Sequence, residues 1–565
     1  MIVYRDATRE ACPRAVVDDI VRGLRDGGST DGPGGLLAEF GELEAAVADG
    51  LFPERDGLHP LADAMRAAGT ALAREMRLAW HGASAGDRAG AGAEAAGLLL
   101  RLRAMALPAR VTLKVAEGYA YYALYPETYL AAAERLARDG GVRRAVCVGI
   151  RSIGTSLSAA VAAGMEAEGA EVETVTVRPH GHPFDRGLRL TPDLEAWFRD
   201  RNDRYALVVD EGPGLSGSSF CGTARALSEL GFPDERIVLF PSWRPDPSGF
   251  ASEAARERWP RHPVAHASFE EVWLPRAPFA GARDLSGGAW RDVTGTRAAV
   301  QPWHERRKYL QDGVVHRFAG LGRHGRARLL RAQRLAAAGF GPEPLGIERG
   351  FLVLRWVEGT ALRRGRAEDD LTRTAARYLA HLAREHPAGG APDVDGLAHM
   401  IETNVAEGLG RPWLDRLAGM ERHLRALRAV PAVAVDGRML PHEWLRTPAG
   451  RLVKTDALDH HDDHFLPGPQ DVAWDVAGLA VEFGLRPGQA LALAAEVGEA
   501  AGDRGLAGRL PFQTVAYLAF RLGYADMAAG ALGRGADAAG MARQARRYRR
   551  LLRLALGGTG LPAPG

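Results

Sequence analysis

The sequence predicts a multidomain chain of mixed α/β and α+β class, with a parallel-sheet unit between a helical N-terminal region and a C-terminal unit that opens on a hairpin. Three observations predict it. Between about 106 and 290, compact apolar strands alternate with helical stretches, the pattern of a parallel sheet covered on both faces. Before about 105, apolar residues recur at three- and four-residue spacing, as on helices. From about 291, the turn Gln311-Asp312-Gly313 joins two strand-like runs, and a helix, a further strand and a mainly helical remainder follow.

Composition narrows the function classes. The chain has 565 residues, 72 Lys+Arg against 70 Asp+Glu, a formal charge of +2, and 46% hydrophobic residues, which suits folded protein and argues against a nucleic-acid coat. Cys12, Cys147 and Cys221 are too few for a disulfide scaffold. The first residues, MIVYRDATRE, carry charges where a signal peptide needs an apolar stretch, and no apolar run reaches a membrane span. The expectation is a cytoplasmic protein acting on small molecules, with no membrane or nucleic-acid partner; nothing indicates an oligomeric state. Lys114, Lys308 and Lys454 are the only lysines, so arginine stands in many places where lysine would be expected.

The first region, 1–105, holds three helical segments (AVVDDIVRGL, GGLLAEFGELEAAVADGLF and HPLADAMRAAGTALAREMRLAW) separated by glycine-rich breaks at 26–35 and 81–97. No chemistry stands out in it. The second unit, 106–290, has strands RAVCVGI, VETVTVRP, YALVVDEG and ERIVLFPSW, with helices SLSAAVAAGMEAEG and FCGTARALSELGF. Ligands of such sheets lie beyond the carboxyl ends of the strands, which points to the loops after Ile150, Pro179 and Asp210.

Two of these loops carry chemistry. Arg151, Ser152, Gly154 and Thr155 follow a strand and open a helix, where backbone N–H groups and the helix dipole favour an anion. Asp210 and Glu211 are followed by Gly214, Ser216, Gly217, Ser218 and Ser219, a carboxylate pair beside a Gly/Ser nest. The nest suits a phosphate and the carboxylates suit sugar hydroxyls, so together they suit a phosphorylated ribose. One such loop is a common strand–helix turn; two in this order carry more weight. His180 and His182 offer a metal pair, a loop contact or plain solvation. The aromatic stretch 118–125 either lines an acceptor site or packs on the helical region.

Residues 115–245 resemble type I phosphoribosyltransferases, with Asp210 to Ser219 similar to their phosphoribosyl pyrophosphate (PRPP) loop and GIRSIGTS to their pyrophosphate loop. The resemblance implies that Asp210 and Glu211 hold the ribose, that Gly214, Ser216, Gly217, Ser218 and Ser219 cradle its phosphate, and that Arg151, Ser152, Gly154 and Thr155 line the pyrophosphate. It makes 178–186, with His180 and Arg186, a mobile loop over the reaction centre. Ser-Gly-Ser-Ser replaces the family's Thr-Gly-X-Thr, and its mid-loop Asp is missing.

The third unit, 291–565, resembles the aminoglycoside-phosphotransferase branch of the kinase-like fold, in its hairpin–helix–strand order, in GRLVKTD and in DVAWDVAG. The resemblance implies Asp456 as a metal ligand, Glu443 as its partner, and a structural Asp-X-Ala motif within Asp471 to Gly478. Arg317 stands where the family has a strand lysine, and Arg438 falls at the base position, with Asp436 as a substitute through a shifted loop. The implied cofactor is Mg²⁺, with ATP as a nucleotide. A rival reading places Asp456, His460 and His464 on one helix face as a zinc site. Arg543 to Arg553 form a basic terminal helix, either solvated or touching RNA.

The main expectation is transfer of 5-phosphoribosyl from PRPP to a small acceptor with release of pyrophosphate. The alternatives are a small-molecule kinase with an accessory PRPP-binding domain, and a PRPP- or nucleotide-sensing regulator without turnover.

Overall fold

The computed structural model describes residues 1–26, 32–365 and 369–557; the expected break at 26–35 lies partly outside the described residues. Proline opens α1 (Pro13–Arg25), α2 (Pro33–Leu51) and α3 (Pro60–Trp80) at a position that needs no N–H. α4 (Ala85–Ala104) starts at Ser84, whose hydroxyl accepts the Asp87 N–H at 3.1 Å. These helices bury Leu37, Phe40, Leu43 and Leu72 in a core shared with Leu130, Ala160 and Ala163 of the middle unit.

The N-terminal region is not helical throughout. β1 (Thr8–Ala11) pairs antiparallel with β2 (Val111–Lys114). The chain's start also belongs elsewhere. The Met1 ammonium pairs with Glu407, and the Ile2 N–H donates to Asn404 Oδ1 at 2.6 Å. The Leu466 N–H donates to the Val3 carbonyl at 2.9 Å, and the Val3 side chain lies inside the core of the C-terminal unit.

The middle unit opens with α5 (Glu117–Tyr121) and α6 (Pro126–Asp139). Its sheet is built from β3 (Arg144–Ile150), β4 (Glu171–Val177), β7 (Tyr205–Val209) and β8 (Ile237–Phe240), in the order β4-β3-β7-β8 and parallel throughout. α7 (Gly154–Ala167), α8 (Pro192–Arg199) and α9 (Ser218–Glu229) provide the crossovers. Val146, Val148, Leu207 and Val208 are fully buried, as their unbroken apolar runs predict.

Between β4 and α8 the expected loop is a hairpin, β5 (His180–His182) paired with β6 (Asp185–Gly187). Its ladder has three residue pairs, too few for a period-two pattern to show in the sequence.

The third unit begins earlier than expected. β9 (Arg283–Asp284) joins β10 (Lys308–Gln311), β11 (Val314–Phe318), β12 (Pro344–Glu348) and β13 (Phe351–Arg355) in an antiparallel sheet of order β12-β13-β11-β10-β9. Asp312 at φ 49° and Gly313 at φ 76° make the two-residue turn of the β10–β11 hairpin. Tyr309, Phe318 and Phe351 from this sheet share a core with Tyr125, Leu207, Phe269 and Phe279. The division at 291 therefore runs through a common core rather than a linker.

β14 (Thr360–Ala361), β15 (Trp444–Arg446) and β16 (Leu452–Lys454) form a second small sheet. The rest packs the helices Asp369–Glu385, Val394–Leu409, Ala473–Phe483, Leu506–Leu532 and Ala536–Leu556. The last buries Met541, Ala545, Tyr548 and Leu552, and its Arg547 pairs with Glu482 at 2.9 Å. Among the described residues no helix is long and apolar enough to cross a membrane.

Candidate functional site

The chemistry-bearing residues gather in two clusters. The first sits at the carboxyl ends of β3 and β7. A Cβ on Gly154 would collide with the Val209 carbonyl oxygen, so glycine lets the two loops touch. The Tyr129 hydroxyl donates to the Asp210 carbonyl at 2.7 Å, and the Glu211 N–H donates to Asp210 Oδ1 at 2.8 Å. Burial pushes the Asp210 carboxyl up to about 7. Burial, then Asp210, then Glu117 push Glu211 up to about 8. Both side chains retain some exposure, so the pair is reachable from solvent. Near neutral pH it is part-protonated, able to donate as well as accept toward hydroxyl groups.

Several expectations for this cluster need correction. Arg151 does not face a leaving group. Its guanidinium is buried and pairs with Asp56 at 2.6 Å and Asp49 at 2.7 Å, both from the N-terminal region. Arg178 also pairs with Asp49, and its N–H donates to Asp56 Oδ2 at 2.8 Å. The first region thus fixes the loops after β3 and β4 through the buried Asp56 and the partly exposed Asp49. Ser152 keeps partial exposure, while Thr155 is buried, its hydroxyl without a hydrogen-bond partner.

Ser218 has its hydroxyl proton engaged, whereas Ser219 accepts a hydrogen bond and keeps its own O–H to donate. Ser218 Oγ donates to the Pro183 carbonyl at 2.6 Å, and Arg186 reaches Ser219 Oγ at 3.4 Å. A Cβ on Gly222 would collide with the Arg186 carbonyl oxygen. The hairpin carrying His180 and Arg186 is therefore docked on the start of α9, not open. Gly214 and Ser216 remain at the loop's accessible edge, and Gly217 takes a left-handed conformation at φ 66°.

The second cluster lies between the small antiparallel sheet and the helical part of the third unit. Arg317, on β11, donates to Asp456 and to Asp459 at 2.8 Å each. These partners hold its guanidinium charged despite complete burial. The same contacts, against the opposing effect of burial, hold Asp456 and Asp459 well below the usual carboxylate range.

Lys454, on β16, lies 2.8 Å from Glu443 Oε2 and 3.0 Å from Asp436 Oδ2, and also donates to the Asp456 carbonyl. Burial works against the ammonium, but Asp436 and Glu443 hold its pKa above the ordinary value. Asp475 accepts the N–H groups of Asp436 and Gly437 at 2.7 and 2.8 Å, which fixes the loop as a structural carboxylate would. The Tyr378 hydroxyl donates to Asp436 Oδ2 at 2.7 Å. Asp436 Oδ2 thus accepts from two donors, while Oδ1 has longer contacts to Lys454 at 3.2 Å and to the Arg438 N–H at 3.4 Å.

The run 456–464 is not a helix, so the shared helix face of Asp456, His460 and His464 does not form. His464 turns away, meeting the Tyr122 hydroxyl at 2.9 Å and stacking on Tyr4 with ring centroids 5.4 Å apart. His460 stays, its Nδ1 2.7 Å from the Asp436 carbonyl. Ligand atoms of Glu443, Asp456 and His460 lie within 4.8 Å of one another.

The aromatic stretch reaches toward both clusters. Tyr121 donates to the Asp462 carbonyl and Tyr125 to that of Arg349. Gly118, at the other end of α5, approaches Glu211 so closely that a Cβ would stand 2.6 Å from its Oε1.

Sequence reasoning missed Lys454, Asp459 and Arg306, whose guanidinium lies 2.9 Å from Asp459. For Lys454 a signal was available: it is one of three lysines in a chain that otherwise uses arginine.

No family model matches the chain, and no curated protein matches it. Solved structures similar to part of it include a choline/ethanolamine kinase family protein from Mesorhizobium loti, 17% identical, with 51% of this chain and 97% of that chain covered at a TM-score of 0.34. A choline kinase from Streptococcus pneumoniae is 14% identical over 45% of this chain and 89% of its own, at a TM-score of 0.32. A choline kinase from Cryptosporidium parvum is 10% identical over 45% of this chain and 87% of its own, at a TM-score of 0.28. Likeness of this depth assigns the chain neither a substrate nor an activity.

Proposed function

We propose that the chain is a small-molecule kinase-like transferase with an accessory site for a phosphorylated ribose such as PRPP. The observation that carries this reading is the convergence of Arg317, Asp456, Glu443 and Lys454 in one buried cluster, beside a loop fixed by Asp475. Phosphoryl transfer requires fixed cations and metal-binding carboxylates around the transferred group. Glu443 and Asp456 would hold a divalent ion such as Mg²⁺, which supplies charge neutralisation at the phosphate of a nucleotide such as ATP. Arg317 orients Asp456, and Lys454 holds Glu443 and Asp436 at close range.

The acceptor side is weaker. Arg438 cannot take a proton, and Asp436 is fully buried with its Oδ2 held by Tyr378 and Lys454. Loss of a general base costs about 10²–10⁴-fold, so turnover is slow by kinase standards. ATP-dependent phosphorylation of a panel of small hydroxyl compounds by the full chain tests the reading. ADP formation that depends on an acceptor and disappears in Asp456→Asn supports it; a folded chain that neither binds nor turns over ATP overturns it.

A second reading, transfer of 5-phosphoribosyl from PRPP, is favoured by one observation: Asp210 and Glu211, with raised pKa values, sit beneath a Gly/Ser loop at the carboxyl end of β7. Pyrophosphate release on incubation with PRPP and candidate acceptors tests it.

A further inference from the structure

We infer that His460 is the third ligand of a metal site with Glu443 and Asp456, and that this site takes a divalent first-row transition ion such as Mn²⁺ in preference to Mg²⁺. The inference deepens the kinase-like reading by naming the ion class of the same cluster, and it rests on that reading only for its use in catalysis.

The imidazole carries the argument. His460 is a side chain only 5% exposed, and its Nε2 is buried with no hydrogen-bond partner among the described residues. A buried ring nitrogen left unpartnered is costly unless something absent from the protein fills its place. Nδ1 sits 2.7 Å from the Asp436 carbonyl, and a carbonyl only accepts, so Nδ1 carries the proton there. In the neutral ring this leaves the lone pair on Nε2, the arrangement by which a backbone carbonyl orients a metal-binding histidine.

Nε2 points at the carboxylates. It is 3.8 Å from Asp456 Oδ2, too far for a hydrogen bond and suited to an ion between the two. Glu443 joins them, the three ligand atoms lying within 4.8 Å of one another. Arg317 holds Asp456 through Oδ1 and Lys454 holds Glu443 through Oε2, so each carboxylate keeps a second oxygen.

The donor set decides the ion class. Two carboxylates and an imidazole are a mixed oxygen–nitrogen set, whereas Mg²⁺ prefers oxygen donors and water. The sequence names all three residues but divides them between a carboxylate pair and a helix-face triad, because β15 and β16 separate Glu443 from His460 and only the fold brings the three together.

The test uses the full-length, metal-free protein and Mn²⁺ alone, with no nucleotide, so failure of the kinase reading does not affect it. Electron paramagnetic resonance titration at pH 7.5 should show one tightly bound Mn²⁺, and pulsed measurements should show coupling to a ¹⁴N nucleus. His460→Gln, checked for native circular dichroism, should bind at least about tenfold more weakly and lose that coupling. Absence of Mn²⁺ binding, binding without ¹⁴N coupling in the wild type, or equal affinity in a folded His460→Gln chain would each overturn the inference. The ¹⁴N measurement on the wild type decides the matter even if the variant does not fold.

Discussion

Lys454 Nζ lies 2.8 Å from Glu443 Oε2 and 3.0 Å from Asp436 Oδ2, so a lysine of the chain itself stands between two buried carboxylates. Removing it leaves two like charges uncompensated. Lys454→Met is expected to destabilise the fold by about 3–5 kcal/mol, the cost of breaking a buried pair from one side. Adding Glu443→Gln should recover part of the loss, because one stranded charge is gone. Denaturant unfolding of the single and double variants checks both; a double variant less stable than Lys454→Met contradicts the pairing.

The acidic pair of the middle unit predicts a pH dependence. Asp210 and Glu211 titrate at about 7 and about 8 in the folded chain, above their ordinary values of 3.8 and 4.5. The folded state therefore binds more protons than the unfolded state between about pH 4 and pH 8. Their contribution to stability is present at low pH and lost as pH rises through this window. Asp210→Asn with Glu211→Gln removes the dependence, so the variant should melt a few degrees above wild type at pH 9, with the gap closing toward pH 4. The same variant should bind PRPP more weakly, by about 1.5–3 kcal/mol for each charged hydrogen bond lost. Equal melting at pH 9 contradicts the raised values, and equal PRPP affinity removes the ribose assignment.

The chain's start is part of the third unit's core. Deleting residues 1–5 removes the buried Val3 side chain, the paired hydrogen bonds of Ile2 with Asn404, and the Arg5 N–H to the His464 carbonyl at 2.8 Å. At about 1 kcal/mol per hydrogen bond and about 1.5 kcal/mol or more for the side chain, the loss is several kcal/mol. Calorimetry should show a lowered transition. An unchanged melting profile contradicts the role given to these residues.

How much was legible follows from how local each signal is. The strands of the parallel sheet were visible because unbroken runs such as Val146–Val148 have no other comfortable environment. The β10–β11 hairpin announced itself through Asp312-Gly313, whose left-handed conformations a two-residue turn demands. Asp456 and Glu443 were named through a resemblance, not through any local pattern of their own. What stayed hidden depends on distant partners. Ile2 and Asn404 are 402 residues apart, and Arg151 and Asp56 are 95 apart, so no window of sequence shows that the arginine is already engaged. The docking of the β5–β6 hairpin depends on Gly222, and nothing local marks that glycine as a contact point.

Arg151 and Asp56 allow a further check. Both side chains are fully buried, so Arg151→Ala strands Asp56, whose pKa burial already raises. The expected loss is about 3–5 kcal/mol of stability. A stable Arg151→Ala chain defective only in anion binding would instead return Arg151 to the role the sequence suggested.

The central claim is tested most directly by ³¹P nuclear magnetic resonance of ATP incubated with the full-length chain, a divalent ion and a mixture of small hydroxyl acceptors. The account predicts slow loss of the γ-phosphate signal and growth of a phosphate-ester signal, both absent in Asp456→Asn. An ATP spectrum unchanged in both intensity and line width, with the folded wild-type chain present at comparable concentration, would contradict it.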